Sequence, residues 1–139
     1  MPRTAGLAHV SLTVTDLGRA VAFWHGVLEL EVIVRTDTYC AFRTGSAHAP
    51  ALFVTVHDTH VGGLFDEFRV GLDHVCLRVD SEAELDVWRD HLADHGVQHR
   101  YERSEWGHHV RLHDPDNIAV ELFVLEPDQE SAGVIPGGA

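Results

Sequence analysis

One nine-residue pattern occurs twice in the chain, and this repeat constrains the fold more than any other feature. Residues 6–14 read GLAHVSLTV and residues 71–79 read GLDHVCLRV, which agree at six of nine positions when the chain is shifted by 65. In both copies small apolar residues alternate with other residues, which is the period of a β-strand with two distinct faces. The repeat therefore predicts two similar modules, each beginning with a strand.

A helix is predicted directly after each repeated strand. Asp16 is placed to cap the first helix, and Ser81 with Glu84 forms a possible capping box for the second. The apolar residues that follow recur at helical spacing: Leu17, Ala20, Val21, Trp24 and Leu28, then Leu85, Trp88 and Leu92. Each module thus continues with a helix that has one apolar face.

Three further β-like stretches follow each predicted helix. They cover about 29–36, 38–43 and 51–57 in the first module and about 98–103, 108–113 and 118–125 in the second. The sequence therefore predicts an α+β fold of tandem βαβββ modules, at about 6–58 and 71–126, within a single domain spanning 1–126. Residues 127–139 contain turn formers without periodicity, so we predict a loose C-terminal tail.

Composition excludes several classes of protein. The chain has 22 acidic and 10 basic residues and a formal charge of −12, which argues against a nucleic-acid partner. It lacks a run of about 18 apolar residues, so we expect no membrane span. Because its beginning, MPRTAGLAH, has no apolar signal core, we predict a cytoplasmic protein. Cys40 and Cys76 lie in strand-like stretches and are predicted to be buried free thiols.

The repeat places one histidine, His9 or His74, at the same position of each first strand. An isolated strand histidine is typical of an ordinary hydrogen-bonded residue, but packing gives no reason to duplicate a titratable side chain among Val and Leu. A second echo, ALFV at 51–54 and ELFV at 121–124, predicts that Glu121 occupies the position of Ala51. An inward carboxylate there needs a divalent cation or an arginine such as Arg111. Two imidazoles and one carboxylate suit Fe2+, Mn2+, Zn2+, Ni2+ or Co2+.

The repeat, together with the segment HDPDNIAVELF at 113–123, resembles the vicinal oxygen chelate superfamily. This group contains glyoxalase I, extradiol dioxygenases, fosfomycin-inactivating thiol transferases, methylmalonyl-CoA epimerase and bleomycin-binding proteins. The resemblance covers about residues 6–126 and implies a cupped mixed sheet, the glyoxalase/bleomycin resistance/dioxygenase fold. It implies that His9, His74 and Glu121 are metal ligands and that the chain forms a homodimer. The sequence does not show whether the paired modules belong to one chain or two.

The functional hypothesis depends on the positions at which this sequence differs from each subfamily. The resemblance implies that glyoxalase I has four metal ligands, one of them a carboxylate on the last strand of the first module. In this chain that stretch, ALFVTVHD at 51–58, has no glutamate, and His57 is predicted to lie at the rim of the site. Extradiol dioxygenases carry a tyrosine where this chain has Arg111, a candidate anion anchor, while His108 or His109 is a candidate acid/base.

We therefore predict a metal-dependent enzyme for a small molecule with adjacent oxygens. Dioxygenase-like chemistry is placed ahead of lyase or isomerase chemistry, and thiol transfer comes third. The alternatives are a metal-free drug-binding protein of the bleomycin-resistance type and a structural dimer with a vestigial site.

Overall fold

The chain folds into two compact units, Met1–Gly63 and Leu64–Ala139. The structure is a computed structural model that describes residues 1–59 and 62–130. Both units show the predicted order of one strand, one helix and three strands. The α+β class and the tandem βαβββ arrangement are therefore confirmed. No helix in these two described ranges is long and apolar enough to cross a membrane.

The first unit is a four-stranded sheet with one helix. Its elements are β1 (His9–Thr13), α1 (Leu17–Trp24), β2 (Glu31–Arg35), β3 (Tyr39–Arg43) and β4 (Ala51–Thr55). The strand order is β1-β4-β3-β2, with β1 parallel to β4 and the other pairs antiparallel. This order places the first strand of the module at an edge, directly beside the last.

The second unit repeats this topology. Its elements are β5 (Val75–Arg78), α2 (Glu82–Asp94), β6 (His99–Ser104), β7 (Gly107–His113) and β8 (Ala119–Leu125), in the sheet order β5-β8-β7-β6. A short helix, α3 (Pro127–Glu130), lies at the beginning of the segment predicted to be a loose tail. The remainder of the predicted tail, 131–139, lies outside the described residues.

The predicted caps and apolar stripes hold the two helices in place. The Asp16 carboxylate accepts a hydrogen bond from the Arg19 backbone N–H at 2.8 Å, and the Ser81 hydroxyl accepts one from the Glu84 N–H at 3.2 Å. The buried stripe residues are Ala20, Val21, Trp24, Leu28, Leu85 and Leu92, whereas Trp88 is only half-buried. Helix α1 therefore covers one face of its sheet, and α2 covers one face of the other.

Strand register corrects the predicted equivalence of Ala51 and Glu121. In the first unit Ser11 lies opposite Phe53, and in the second Cys76, the repeat counterpart of Ser11, lies opposite Glu121. The counterpart of Glu121 is therefore Phe53, because the matching letters ALFV and ELFV lie two residues out of register with the strand pairing. The matching position of the first module still has no carboxylate.

Two tight turns fix the register of the last three strands. The buried Asp114 carboxylate accepts hydrogen bonds from the backbone N–H groups of Asp116 and Ile118 at 2.9 and 2.8 Å, which closes the β7–β8 turn. At the β6–β7 hairpin, Gly107 adopts φ 153°, and a Cβ atom there would lie 1.9 Å from the Val124 carbonyl oxygen. The hairpin therefore requires glycine at this position.

Candidate functional site

One face of the second sheet collects the titratable side chains. Because paired strands place opposing side chains on the same face, residues on the side away from α2 can be read from the register. We call this side the polar face; its polar members are Cys76, Arg78, Arg100, Glu102, Ser104, His109, Arg111, His113 and Glu121. The opposite face carries apolar residues such as Val110, Leu112, Val120 and Leu122, all buried.

Glu121 is a buried carboxylate at the centre of the polar face, with 6% of its surface exposed. Its Oε1 atom lies 2.7 Å from Nδ1 of His109, and its Oε2 atom accepts a hydrogen bond from Nε of Arg111 at 3.3 Å. Cys76 lies directly across the strand pair and approaches Oε1 to 3.7 Å. Both carboxylate oxygens therefore have partners within the same sheet, which offsets the cost of burying the charge.

His109 links Glu121 to the β6–β7 hairpin. Its ring is 9% exposed and packs against Phe123, with ring centroids 4.8 Å apart. Its Nε2 atom lies 2.6 Å from the Ser104 hydroxyl, while Nδ1 faces Glu121. The predicted candidate His109 therefore lies beside the predicted ligand Glu121, and Ser104 is a neighbour that the sequence reasoning missed.

His74 lies immediately before β5 and is exposed. Its Nδ1 atom is 2.6 Å from a carboxylate oxygen of Asp73, so Asp73 holds this side of the ring while Nε2 lies on the opposite side. His74, Arg111 and Glu121 together line two neighbouring cavities of about 340 and 470 Å3. The structure therefore brings His74 and Glu121 to one site, and Asp73 adds a carboxylate behind the histidine.

The larger of these two cavities has a mixed lining. The wall combines polar groups with the aromatic rings of Trp106 and Phe123. Its complete lining is His74, Cys76, Ser104, Trp106, His109, Arg111, Glu121 and Phe123. A few convergent polar groups in a partly apolar hollow are typical of a small-molecule site.

His9 occupies the corresponding position of the first unit. It begins β1 opposite Ala51, is exposed, and packs against the Phe53 ring with centroids 4.9 Å apart. The Tyr39 ring also packs against Phe53, with ring centroids 5.7 Å apart. His57 follows β4 and is exposed.

His108, predicted as a candidate acid/base, lies outside this site. Neighbouring residues of a strand point to opposite faces, so His108 lies on the α2 side, away from Glu121. Its Nδ1 atom lies 2.6 Å from the Tyr101 hydroxyl, and its Nε2 atom lies 2.6 Å from a carboxylate oxygen of Glu82 in α2. These contacts give His108 a role between sheet and helix, so His109 alone of the histidine pair belongs to the polar face.

Arg111 is committed to two carboxylates. Besides Glu121, it reaches Glu102, with an N–O distance of 3.2 Å. The prediction that Arg111 anchors an anionic substrate is weakened, because its positive charge is already offset within the sheet. Arg111 instead fixes the orientation of Glu121.

Cys76 shows how strongly this environment disfavours negative charge. Burial of the thiol, followed by the charge of Glu121 and a hydrogen bond to it, raises the pKa of Cys76 to about 12. The residue as a whole is nevertheless exposed on the polar face, so its predicted burial is wrong, whereas that of Cys40 is confirmed. Both cysteines are free thiols, as predicted.

The nitrogen and oxygen donors of the second unit are of the kinds that bind divalent cations. His74 presents a nitrogen whose partner nitrogen is held by a carboxylate, as in many metal-binding histidines, and Glu121 supplies an oxygen. A bound cation would supply positive charge to Glu121 in addition to that of Arg111. Within 1–59 and 62–130, no group of three His, Cys, Asp or Glu side chains is close enough to hold a metal ion. The third predicted ligand, His9, belongs to the first unit.

Comparisons with known proteins agree with this fold. The chain is similar to a glyoxylase/bleomycin resistance protein/dioxygenase domain from Frankia sp. EAN1pec, with 29% identity, a TM-score of 0.76, and coverage of 94% of this chain and 99% of that chain. It also resembles a lactoylglutathione lyase from Agrobacterium tumefaciens, at 20% identity, TM-score 0.68, and coverage of 88% and 96%.

A fosfomycin resistance protein, FosX, from Mesorhizobium loti has 18% identity, TM-score 0.66, and coverage of 93% and 99%. No curated protein matches the chain. The family model of the Glyoxalase/Bleomycin resistance protein/Dioxygenase superfamily matches residues 6–122, which include all three predicted ligands. The chain therefore belongs to this superfamily, which bears out the resemblance seen in its repeated strands.

Proposed function

We propose that the chain is a divalent-metal-dependent enzyme that acts on a small molecule with adjacent oxygens. The proposed ligands are His9, His74 and Glu121, and the metal is Fe2+, Mn2+, Zn2+, Ni2+ or Co2+. The observation that carries the proposal is the pairing of Asp73 with His74 at a cavity also lined by Glu121. That pairing leaves one imidazole nitrogen free for a ligand beside a buried carboxylate.

Each group of the cavity has a defined task in this proposal. When bound, the cation supplies Lewis-acid stabilisation of negative charge on substrate oxygens. Asp73 orients His74, and Arg111 orients Glu121. His109 is within hydrogen-bond distance of both Glu121 and Ser104, so it can hold or move a proton at Nε2. Trp106 and Phe123 supply apolar wall that excludes water from part of the cavity.

Among possible reactions, we place a dioxygenase-like reaction ahead of a lyase or isomerase reaction, with thiol transfer third. The position of His109 supports this order, because it supplies an acid/base group beside the proposed ligand set. The absence of a carboxylate at Phe53, the counterpart of Glu121, argues against a symmetric site with two carboxylates.

The metal proposal is tested by the affinity of an Asp73→Ala variant. Removing a carboxylate that orients a ligating histidine is expected to weaken binding of Co2+ or Zn2+ by about 10- to 100-fold. Competition with a chromophoric chelator measures this change. Asp90→Ala, an exposed carboxylate on α2, is the matched control and should leave the affinity unchanged. Equal affinities in all three proteins would contradict the assignment of His74 as a ligand.

The reaction class is tested by oxygen uptake. Protein reconstituted with Fe2+ without air is mixed with a catechol in air-saturated buffer, and oxygen consumption is recorded. We expect consumption to fall at least ~100-fold in His109→Gln, because general acid/base groups contribute about that much. His48→Gln, at an exposed loop of the first unit, should retain the wild-type rate. No oxygen consumption by the wild type would direct the search to lyase or isomerase substrates.

The second candidate is a metal-free drug-binding protein of the bleomycin-resistance type. It is favoured by the contacts of Glu121 with Arg111 and His109, which provide partners for both carboxylate oxygens without a metal ion. Bleomycin added to chelator-treated protein would then raise its melting temperature, through preferential binding to the folded state. An unchanged melting temperature at millimolar drug would remove this candidate.

We also propose a homodimer and a reducing, cytoplasmic location. Exposed apolar side chains at Leu64, Phe68 and Val70 support association with a second copy, and two free thiols support the compartment. Sedimentation velocity at micromolar concentration measures the association state. A monomer at all concentrations would contradict the dimer.

A further inference from the structure

The polar face contains a continuous chain of three hydrogen-bonding side chains. The Ser104 hydroxyl lies 2.6 Å from Nε2 of His109, and Nδ1 of the same ring lies 2.7 Å from Oε1 of Glu121. This is a hydroxyl, an imidazole and a carboxylate, in the order and at the distances that activate a nucleophilic serine in hydrolases of unrelated folds. We propose that Ser104 is a nucleophile for acyl transfer from activated carboxylic esters.

The local structure presents these groups rigidly. Ser104 ends β6 opposite Gly107, which has no side chain, and Glu102 lies opposite His109 two positions further from the turn. Ser104 and His109 are therefore diagonal neighbours across a two-residue hairpin. His109 and Glu121 are both buried, whereas Ser104 is exposed. The base and its orienting carboxylate are thus fixed in the sheet while the hydroxyl stays accessible.

The surroundings of the hydroxyl suit this role. Ser104 lines the cavity of about 470 Å3 together with Trp106 and Phe123, so an ester with an apolar or aromatic portion has a surface to occupy. The Trp106 backbone N–H donates a hydrogen bond to the Ser104 hydroxyl at 3.2 Å, which helps to fix the position of this oxygen beside His109. Arg111 places a guanidinium in the same wall.

The reaction balances without any further reactant than water. Ser104 Oγ bonds to the ester carbonyl carbon while its proton passes to Nε2 of His109, and the bond to the leaving oxygen then breaks, with that proton passing to the leaving group. Water attacks the resulting acyl-serine, with His109 accepting its proton, and the carboxylic acid is released as the proton returns to Ser104. Glu121 keeps Nδ1–H of His109 in place throughout.

The inference and the proposed metal function both use Glu121, but they give its carboxylate different partners. Glu121 orients His109 here, whereas as a metal ligand it would turn an oxygen to the cation. Acyl transfer is therefore expected in protein treated with a chelator. Metal affinity is measured separately, so failure of one proposal is not failure of the other.

The test uses p-nitrophenyl acetate and the chelator-treated full chain. We expect release of p-nitrophenolate and an acetyl group on the tryptic peptide 104–111, which lies between Arg103 and Arg111 and begins with Ser104. Ser104→Ala should lose the adduct. His109→Gln should form it at least ~100-fold more slowly, because the general base is gone. Ser46→Ala, at an exposed loop serine, should retain the wild-type adduct and rate.

Three results would overturn the proposal. They are the absence of acetyl on Ser104 of the wild type, its formation at the same rate in His109→Gln, or its dependence on added divalent metal. Far-UV circular dichroism of each variant shows that it is folded. Because Ser104 is an exposed strand end, Ser104→Ala is expected to fold as the wild type does.

Discussion

The β7–β8 turn allows a quantitative prediction, because one buried side chain closes it. Replacing Asp114 by Ala removes the acceptor for the N–H groups of Asp116 and Ile118, at 2.9 and 2.8 Å. A hydrogen bond to a charged group contributes about 1.5–3 kcal/mol, so losing two should lower the free energy of unfolding by at least ~3 kcal/mol. Asp114→Asn keeps one neutral acceptor oxygen and should cost about half as much. This turn also sets the register that places Arg111 opposite Glu121.

Urea unfolding followed by tryptophan fluorescence measures these changes. The slope of the free energy against urea should stay the same while the midpoint falls, since the folded structure is retained. Asp37→Ala, an exposed aspartate in the first unit, is the control and should change stability by less than ~0.5 kcal/mol. If Asp114→Ala were no less stable than Asp37→Ala, the reasoning from the two hydrogen bonds would be refuted.

Two further predictions concern the same sheet. Gly107→Ala should lower the free energy of unfolding by about 3 kcal/mol or prevent folding, because its Cβ would meet the Val124 carbonyl oxygen at 1.9 Å; wild-type stability in thermal unfolding would contradict this. Cys76, with a pKa of about 12 against 9.0 for an ordinary thiol, should react with iodoacetamide near pH 8 about 1000-fold more slowly than in the unfolded chain. Its rate should rise with pH beyond pH 9 and increase in Glu121→Gln, whereas a plateau near pH 9 would show that the pKa is not raised.

The repeat made the fold and part of the site predictable. Two copies of one strand pattern, each followed by a capped apolar stripe, sufficed for the βαβββ order, because hydrophobic period and helix caps are local properties of the sequence. The same repeat identified His9 and His74, and the family match includes both positions. Which strands pair and in which direction was not predicted, because pairing joins segments that lie far apart in the sequence.

The side-chain contacts could not be read in the same way. Ser104 and His109 meet only because the hairpin turns between Glu105 and Trp106, and one residue of slip would turn both to the other face. For the same reason the sequence could not choose between His108 and His109, which alternate across the sheet. The equivalence of Ala51 and Glu121 failed because similar letters were aligned without the pairing of their neighbouring strands.

Asp73 is a residue that the sequence could have indicated. It directly precedes His74 in GLDHV, whereas alanine precedes His9 in GLAHV. A carboxylate beside only one of two repeated histidines marks that histidine as the one with a fixed ring orientation. The position at which the two copies differ therefore indicated the orienting carboxylate, which the identical positions could not.

The metal content of the reconstituted protein tests the central proposal most directly. Purified chain is stripped with a chelator, loaded with Fe2+, Mn2+, Zn2+, Ni2+ or Co2+, desalted, and analysed by mass spectrometry for metal per chain. We expect one equivalent of at least one of these metals in the wild type and a loss of this equivalent in His9→Ala, which removes the proposed ligand of the first unit. A wild type that retains no metal, or a His9→Ala variant that retains the full equivalent, would contradict the proposed three-ligand site.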